Sequence, residues 1–215
     1  MTSASPPLAP ERFRAWAAER LALARTAREA TRGDHDLNPG MAPASPLVPA
    51  AVLVPLVARA ARVTALLTQR TDNLASHKGQ ISFPGGHAEP GDGSPEETAL
   101  RETEEEIGLD RRHVEIIGRL DPYATRTGFL VTPVVGWVVP PFELTPDPRE
   151  VAEVFEVPVA HFLEPGNFQR MTRVIAGTVS AFYAVPYESH YIWGVTAGML
   201  KNFFDILCGP AADGR

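Results

Sequence analysis

Three glutamates, Glu102, Glu105 and Glu106, stand at i, i+3 and i+4 inside the segment Arg101-Glu102-Thr103-Glu104-Glu105-Glu106-Ile107-Gly108. On a helix turning about 100° per residue they fall within an arc of about 100°. Like charges at that spacing repel and weaken an isolated helix. A hard divalent cation such as Mg²⁺ or Mn²⁺ would relieve the repulsion, because it favours carboxylate oxygens and water. Arg101 is placed to orient Glu105 at i+4. A solvated acidic face is the alternative reading of this helix taken alone. Upstream lies Gly79-Gln80-Ile81-Ser82-Phe83-Pro84-Gly85-Gly86. Its glycine pair lets backbone approach a ligand, so the loop can offer carbonyl oxygens to the same cation.

The element that must carry the glutamates is clearly delimited. Ser94 is a good N-cap, Pro95 suits the first helical position, and Glu97 completes a capping box. Gly108 stops the helix, which therefore covers residues 95–107. Ala99, Leu100, Thr103 and Ile107 gather on the opposite side and can pack on a sheet. Strands are expected at 50–57 and 63–68, paired through 58–62, and at 113–120, 129–139 and 151–157. A helical turn at 159–162, a hairpin of 168–175 with 178–187, and a helix at 196–207 complete the core. Before it, residues 11–31 form an Ala- and Arg-rich helix with one apolar face. Residues 33–49 follow as a proline-bearing extended linker. That helix is an arm, packed on its own domain or on a second subunit. Strands interleaved with few helices indicate a mixed α+β sheet. The expected division is 1–49 for a flexible N-terminus, arm and linker, and 50–209 for the domain.

Of the 215 residues, 20 are Lys or Arg and 26 are Asp or Glu, for a net charge of −6. Six acids and one base lie between Glu96 and Glu106, so most of that charge sits on one helix. The balance argues against a general binder of nucleic acid or anionic membrane. The single cysteine, Cys208, reads as a small buried hydrophobe, and one thiol builds neither a disulfide nor a thiolate metal site. No uncharged apolar run reaches the roughly 20 residues that span a bilayer. A soluble, cytoplasmic protein is expected.

Residues 86–109 resemble the Nudix box of the Nudix hydrolases. Arg101-Glu102-x-x-Glu105-Glu106-x-Gly108-Leu109 matches that signature, with Thr103 where an aliphatic residue is usual. The first half is offset by one residue, with Gly86 as the motif glycine and Asp92 or Glu89 standing in for the middle acid. Leu66-Leu67-Thr68-Gln69-Arg70, residues 79–86 and Tyr191-Ile192-Trp193-Gly194-Val195-Thr196-Ala197 resemble further signatures of the coenzyme A diphosphatase subfamily. Ala75 falls where that subfamily expects a basic residue, with His77 and Lys78 close by.

The resemblance implies a Nudix fold, a mixed sheet sandwiched between helices, with the N-terminal helical arm added. It implies hydrolysis of coenzyme A or its thioesters to 3′,5′-ADP and 4′-phosphopantetheine with Mg²⁺ or Mn²⁺. Glu102, Glu105, Glu106 and the Gly86 carbonyl would hold the metal. Glu105, or a carboxylate from elsewhere such as Glu153 or Glu150, would accept the proton of the attacking water. Arg70, His77 and Lys78 would contact phosphate, and Phe83 either packs the loop or touches substrate. Trp193 is assigned to the core rather than to an adenine platform. A broader hydrolase of ADP-ribose or NADH and a non-catalytic nucleotide sensor are the alternatives. The expected partner is a small nucleotide of the coenzyme A type, with no nucleic acid, no membrane and a possible homodimer through the arm.

Overall fold

A computed structural model describes residues 9–27, 31–41, 45–71, 79–175 and 177–209. The arm, α1 (Pro10–Ala27), is followed by β1 (Arg32–Gly33). The long hairpin β2 (Val48–Arg59) and β3 (Arg62–Arg70) turns at Ala60 and Ala61, tighter than the sequence suggests. Two short strands, β4 (Ile81–Ser82) and β5 (Gly85–His87), lead into α2 (Pro95–Ile107). Then come β6 (Val114–Arg119), β7 (Tyr123–Ala124), β8 (Phe129–Val138), β9 (Val151–Pro158) and the turn α3 (Val159–Phe162). The chain closes with β10 (Gln169–Ile175), β11 (Thr178–Tyr187), β12 (His190–Trp193) and α4 (Val195–Cys208).

The first nine strands form one mixed sheet. Its main path runs β1-β7-β8-β2-β3-β4, with β5 on β2, β6 on β8 and β9 on β3. β2 and β8 pair in parallel over ten residues, from Val48↔Phe129 to Val57↔Val138. Successive residues of these strands face opposite sides. Val54 and Leu56 on β2 join Val135 and Trp137 on β8 beneath α1 and α4. Leu53 and Val57 join Val134 and Val138 beneath Ala99 and Ile107 of α2. A sheet covered on both faces accounts for the nearly unbroken apolar run of β2. The last three strands form a separate antiparallel sheet, β10-β11-β12. Among the described residues no helix is long and apolar enough to cross a membrane.

The arm lies against its own domain. Phe13, Ala17 and Leu21 are buried in the core beside α4 and β6. The apolar face of the arm is thus covered from within the chain. Residues 33–49 also depart from a plain extended linker. Asp34–Asp36 form a 3₁₀ turn, and β1 pairs in parallel with β7. The Asn38 amide donates to the Ala181 carbonyl at 3.0 Å and accepts from the Ala181 N–H at 2.7 Å.

Candidate active site

The helix that carries the glutamates is held at both ends. Ser94 caps it by accepting from the Glu97 N–H at 3.3 Å, and Pro95 occupies the first turn. The Glu97 carboxylate does not close the expected capping box, but accepts from the Gly93 N–H at 2.5 Å. Gly108 ends the helix in the left-handed region (φ 69°), donating to the Glu104 carbonyl at 2.9 Å. Tertiary packing buries Thr98, Ala99, Thr103, Glu106 and Ile107. Glu106 therefore stands on the packed side of α2, 4% exposed, whereas Glu105 remains exposed.

β5 brings the glycine pair to this helix. Gly85 and Gly86 pair with Val52 and Ala51 of β2. The Gly85 N–H donates to Glu106 Oε2 at 3.1 Å. Gly85 has φ +148°, and a Cβ there would stand 2.4 Å from the Ala51 carbonyl oxygen, so glycine is required. At Gly86 a Cβ would stand 2.5 Å from Glu102 Oε2. Gly86→Ala should therefore push the Glu102 carboxylate aside and lower kcat by about tenfold or more, while the melting temperature moves little. Unchanged kcat in a folded variant would dissociate Gly86 from the site.

Arg101 organises the acids. Its Nη1 lies 3.1 Å from both Glu102 Oε1 and Glu105 Oε2. Its other nitrogens donate to Asp92 at 2.9 and 3.1 Å and to the His87 carbonyl at 3.0 Å. Asp92 also accepts from Thr98 Oγ1 and the Glu89 N–H, both at 2.9 Å. The Arg101 hydrogen bond leads in holding the Asp92 carboxyl far below the usual carboxylate range. Of the two stand-ins for the middle acid, Asp92 is the one bound to Arg101.

Arg70 crosses from the sheet. A register shift between β3 and β9 at Gln69/Arg70 sets it opposite Val151, and such a bulge re-aims a side chain. Arg70 Nη1 lies 3.3 Å from Glu106 Oε1 and Nη2 lies 3.6 Å from Glu150 Oε2. Burial pushes the Glu106 carboxyl up to about 7, against the Gly85 N–H and Arg70, which both lower it. Burial likewise raises Glu102, opposed by Arg101.

A cleft of about 840 Å³ joins these groups, within the range of small-ligand sites. Glu102, Glu106, Glu150, Arg70, Gly85 and Gly86 line one part of it, and Arg126, Arg173, Phe182 and Trp193 another. Glu153 is not in its lining; it lies 3.3 Å from His190 Nε2. Phe83 belongs to the buried core and shows only its margin to the cleft. Trp193, expected in the core, is a half-buried part of the wall, with the Arg173 guanidinium 4.7 Å from its ring centre. His77 and Lys78 lie outside the described residues. Arg126, Arg173 and Phe182 have no motif to mark them, and only the folding of β11 beside the 125–128 turn brings them to the site.

The donor set suits a hard cation. Two carboxylates raised by burial face the same glycine turn, and a Cβ would fill the space between that turn and Glu102. Among the described residues no three acidic or histidine side chains are already gathered at coordinating distance. Arg101 and Arg70 hold the carboxylates that a cation would take over.

A mixed sheet between helices, with a glycine turn set against an arginine-ordered acidic helix, is the architecture of a Nudix hydrolase. The chain belongs to this family: residues 47–176 match the NUDIX domain. Its relatives include proteins called uncharacterized Nudix hydrolase NudL. The one from Photorhabdus laumondii is 41% identical over 153 residues, covering 71% of this chain and 81% of its own. The one from Escherichia coli K12 is 40% identical over the same length, covering 71% and 79%. A solved Ap4A hydrolase from C. elegans aligns with 52% of this chain at 22% identity and a TM-score of 0.43, too remote to bear on substrate. Nudix hydrolases act on nucleoside diphosphates linked to another moiety and generally work with a divalent cation.

Proposed function

We propose that this Nudix hydrolase cleaves the diphosphate bond of coenzyme A or its thioesters, with Mg²⁺ or Mn²⁺, releasing 3′,5′-ADP and (acyl-)4′-phosphopantetheine. One observation carries the reading: three separated segments that resemble coenzyme A diphosphatases line the same cleft. They are Arg70 at the end of β3, residues 80–83 with Gly85 and Gly86, and residues 193–196.

Glu102, Glu105, Glu106 and the Gly86 carbonyl would hold the cation, as their chemistry suits. When bound, it would neutralise diphosphate oxygens and acidify a water. Arg101 keeps Glu102 and Glu105 on one side of α2, its Nη1 lying 3.1 Å from a carboxylate oxygen of each. Arg70, already beside Glu106 and Glu150, offers a fork of N–H donors to the substrate's diphosphate. The proton of the attacking water goes to a carboxylate. Glu105 is one candidate; Glu150, on the cleft wall, is better placed than Glu153, which faces His190. Glu150→Gln should lower kcat by about a hundredfold, while Glu153→Gln stays within about twofold of wild type. The reverse order would return the role to Glu153.

The deciding experiment offers the protein coenzyme A, acetyl-coenzyme A, ADP-ribose, NADH and diadenosine polyphosphates with Mg²⁺ or Mn²⁺, and resolves the products by chromatography. Release of 3′,5′-ADP from coenzyme A well ahead of all other turnover is expected. Comparable turnover of ADP-ribose or NADH would favour the broader hydrolase, and nucleotide binding without turnover a sensor.

A further inference from the structure

We propose that Arg126 and Arg173 bind a phosphate monoester carried by the substrate's nucleotide, apart from the diphosphate served by Glu102 and Glu106. The inference rests on the coenzyme A reading, since that substrate bears such a group on its ribose. Its own ground is the charge distribution along the cleft.

At the glycine turn three carboxylates, Glu102, Glu106 and Glu150, face Arg70, which is ion-paired to two of them. That part of the wall therefore awaits positive charge. The other part is reversed. Arg126 and Arg173 are both exposed, and among the described residues neither guanidinium has a carboxylate within ion-pair distance. Asp34, the acid on this wall, is engaged elsewhere: it accepts from Tyr123 Oη at 3.0 Å and from the Arg126 backbone N–H at 3.2 Å. Those bonds fix the 125–128 turn beside β11.

Ser180 links the two arginines, one through its hydroxyl and the other through strand pairing. Arg126 Nη1 donates to Ser180 Oγ at 3.3 Å, and Ser180 pairs directly with Arg173 across β10 and β11. Arg173 is oriented by aromatic faces, its Cζ lying 4.7 Å from the Trp193 ring centre and 5.6 Å from that of Phe182. Stacking on rings leaves the N–H edge of a guanidinium free, and that edge matches phosphate oxygens in a bidentate manner. The same stacking covers Trp193, so the ring supports the cation rather than a base. Two arginine forks on one wall of the cleft, the other part of which takes a diphosphate through a cation, suit a second and separate phosphate.

The test titrates the full-length protein calorimetrically with 3′,5′-ADP and with 5′-AMP, comparing wild type, Glu106→Gln and the Arg126→Ala/Arg173→Ala double variant. Wild type is expected to prefer 3′,5′-ADP by about tenfold or more, the size of one to two charge-assisted hydrogen bonds. Glu106→Gln should keep that preference, and the double variant should lose it while still binding 5′-AMP as wild type does. Equal affinity for the two nucleotides in wild type overturns the inference, as does a preference that survives in the double variant. A wild-type preference that the double variant loses, in a protein that does not hydrolyse coenzyme A, would sink the substrate reading and leave the phosphate site standing. Where coenzyme A is hydrolysed, the double variant should raise its KM toward that of dephospho-coenzyme A and leave kcat in place. Both side chains are exposed, so an unchanged melting temperature verifies folding.

Discussion

Glu106→Gln is expected to lower kcat of metal-dependent hydrolysis by about a thousandfold or more, the loss of several kcal/mol of charge stabilisation. The same substitution should stabilise the metal-free protein at alkaline pH. The sign follows from burial. The folded Glu106 carboxyl titrates at about 7 against an ordinary value of 4.5, so folding favours its protonated form. That contribution is fully present below pH 4.5 and is lost as pH rises through about 7. By pH 8 the wild-type fold holds a desolvated anion that a glutamine would not become, a difference of about 3 kcal/mol at most. Glutamine keeps an oxygen for the Gly85 N–H, so the turn retains its hydrogen bond. Thermal melts from pH 4 to 9 in chelator should show the wild type losing stability across pH 4.5 to 7 more steeply than the variant. Added Mg²⁺ or Mn²⁺ should raise the wild-type melting temperature and leave that of the variant unmoved. A variant that still turns over at the wild-type rate, or is still stabilised by the cation, would remove Glu106 from the metal site.

The second large effect concerns the arm. Leu21 is 1% exposed, and its Cβ would lie 2.8 Å from a Cβ built at Gly118, so the helix seats directly on β6. Leu21→Ala should cost about 2–5 kcal/mol, because a cavity is left beneath α1 on top of the lost transfer energy. On the same helix Leu23, 52% exposed, should change stability by less than about 0.5 kcal/mol when truncated to alanine. Denaturant titrations read both values, and size-exclusion with light scattering reads the mass. The mass should not respond to Leu21→Ala. A stable variant of altered mass would return α1 to a role between subunits.

These expectations separate what a local pattern can specify from what it cannot. The limits of α2 follow from Ser94, Pro95 and Gly108, and the helix occupies the residues expected of it, because caps act on neighbours within one turn. The strands β2, β3, β8 and β9 were legible to within one or two residues from apolar, β-branched runs. By contrast, β1, β4, β5, β7 and β12 are two to four residues long, and β1 and β5 pair with strands far away in the chain. No periodicity can emerge from so few residues, so they stayed invisible.

The site divides in the same way. Glu102, Glu105, Glu106, Arg101 and Gly86 were legible because their chemistry is written at helical spacing beside a glycine turn. Which of two neighbouring acids would face Arg70, Glu150 or Glu153, turns on a one-residue shift between β3 and β9. That shift belongs to the pairing and not to either strand. Trp193 shows the reverse error, since apolar neighbours suggested core where the β11–β12 pairing turns the ring to the cleft. Arg126 and Arg173, 47 positions apart, come to one wall through the β10–β11 pairing at Ser180 and the Arg126–Ser180 hydrogen bond. The family and the limits of the acidic helix thus follow from local sequence, because motif and caps act within a turn or two of chain. The tertiary structure alone decided where the arm packs, which acid enters the cleft and which arginines await its second anion, because each depends on contacts between residues far apart in the chain.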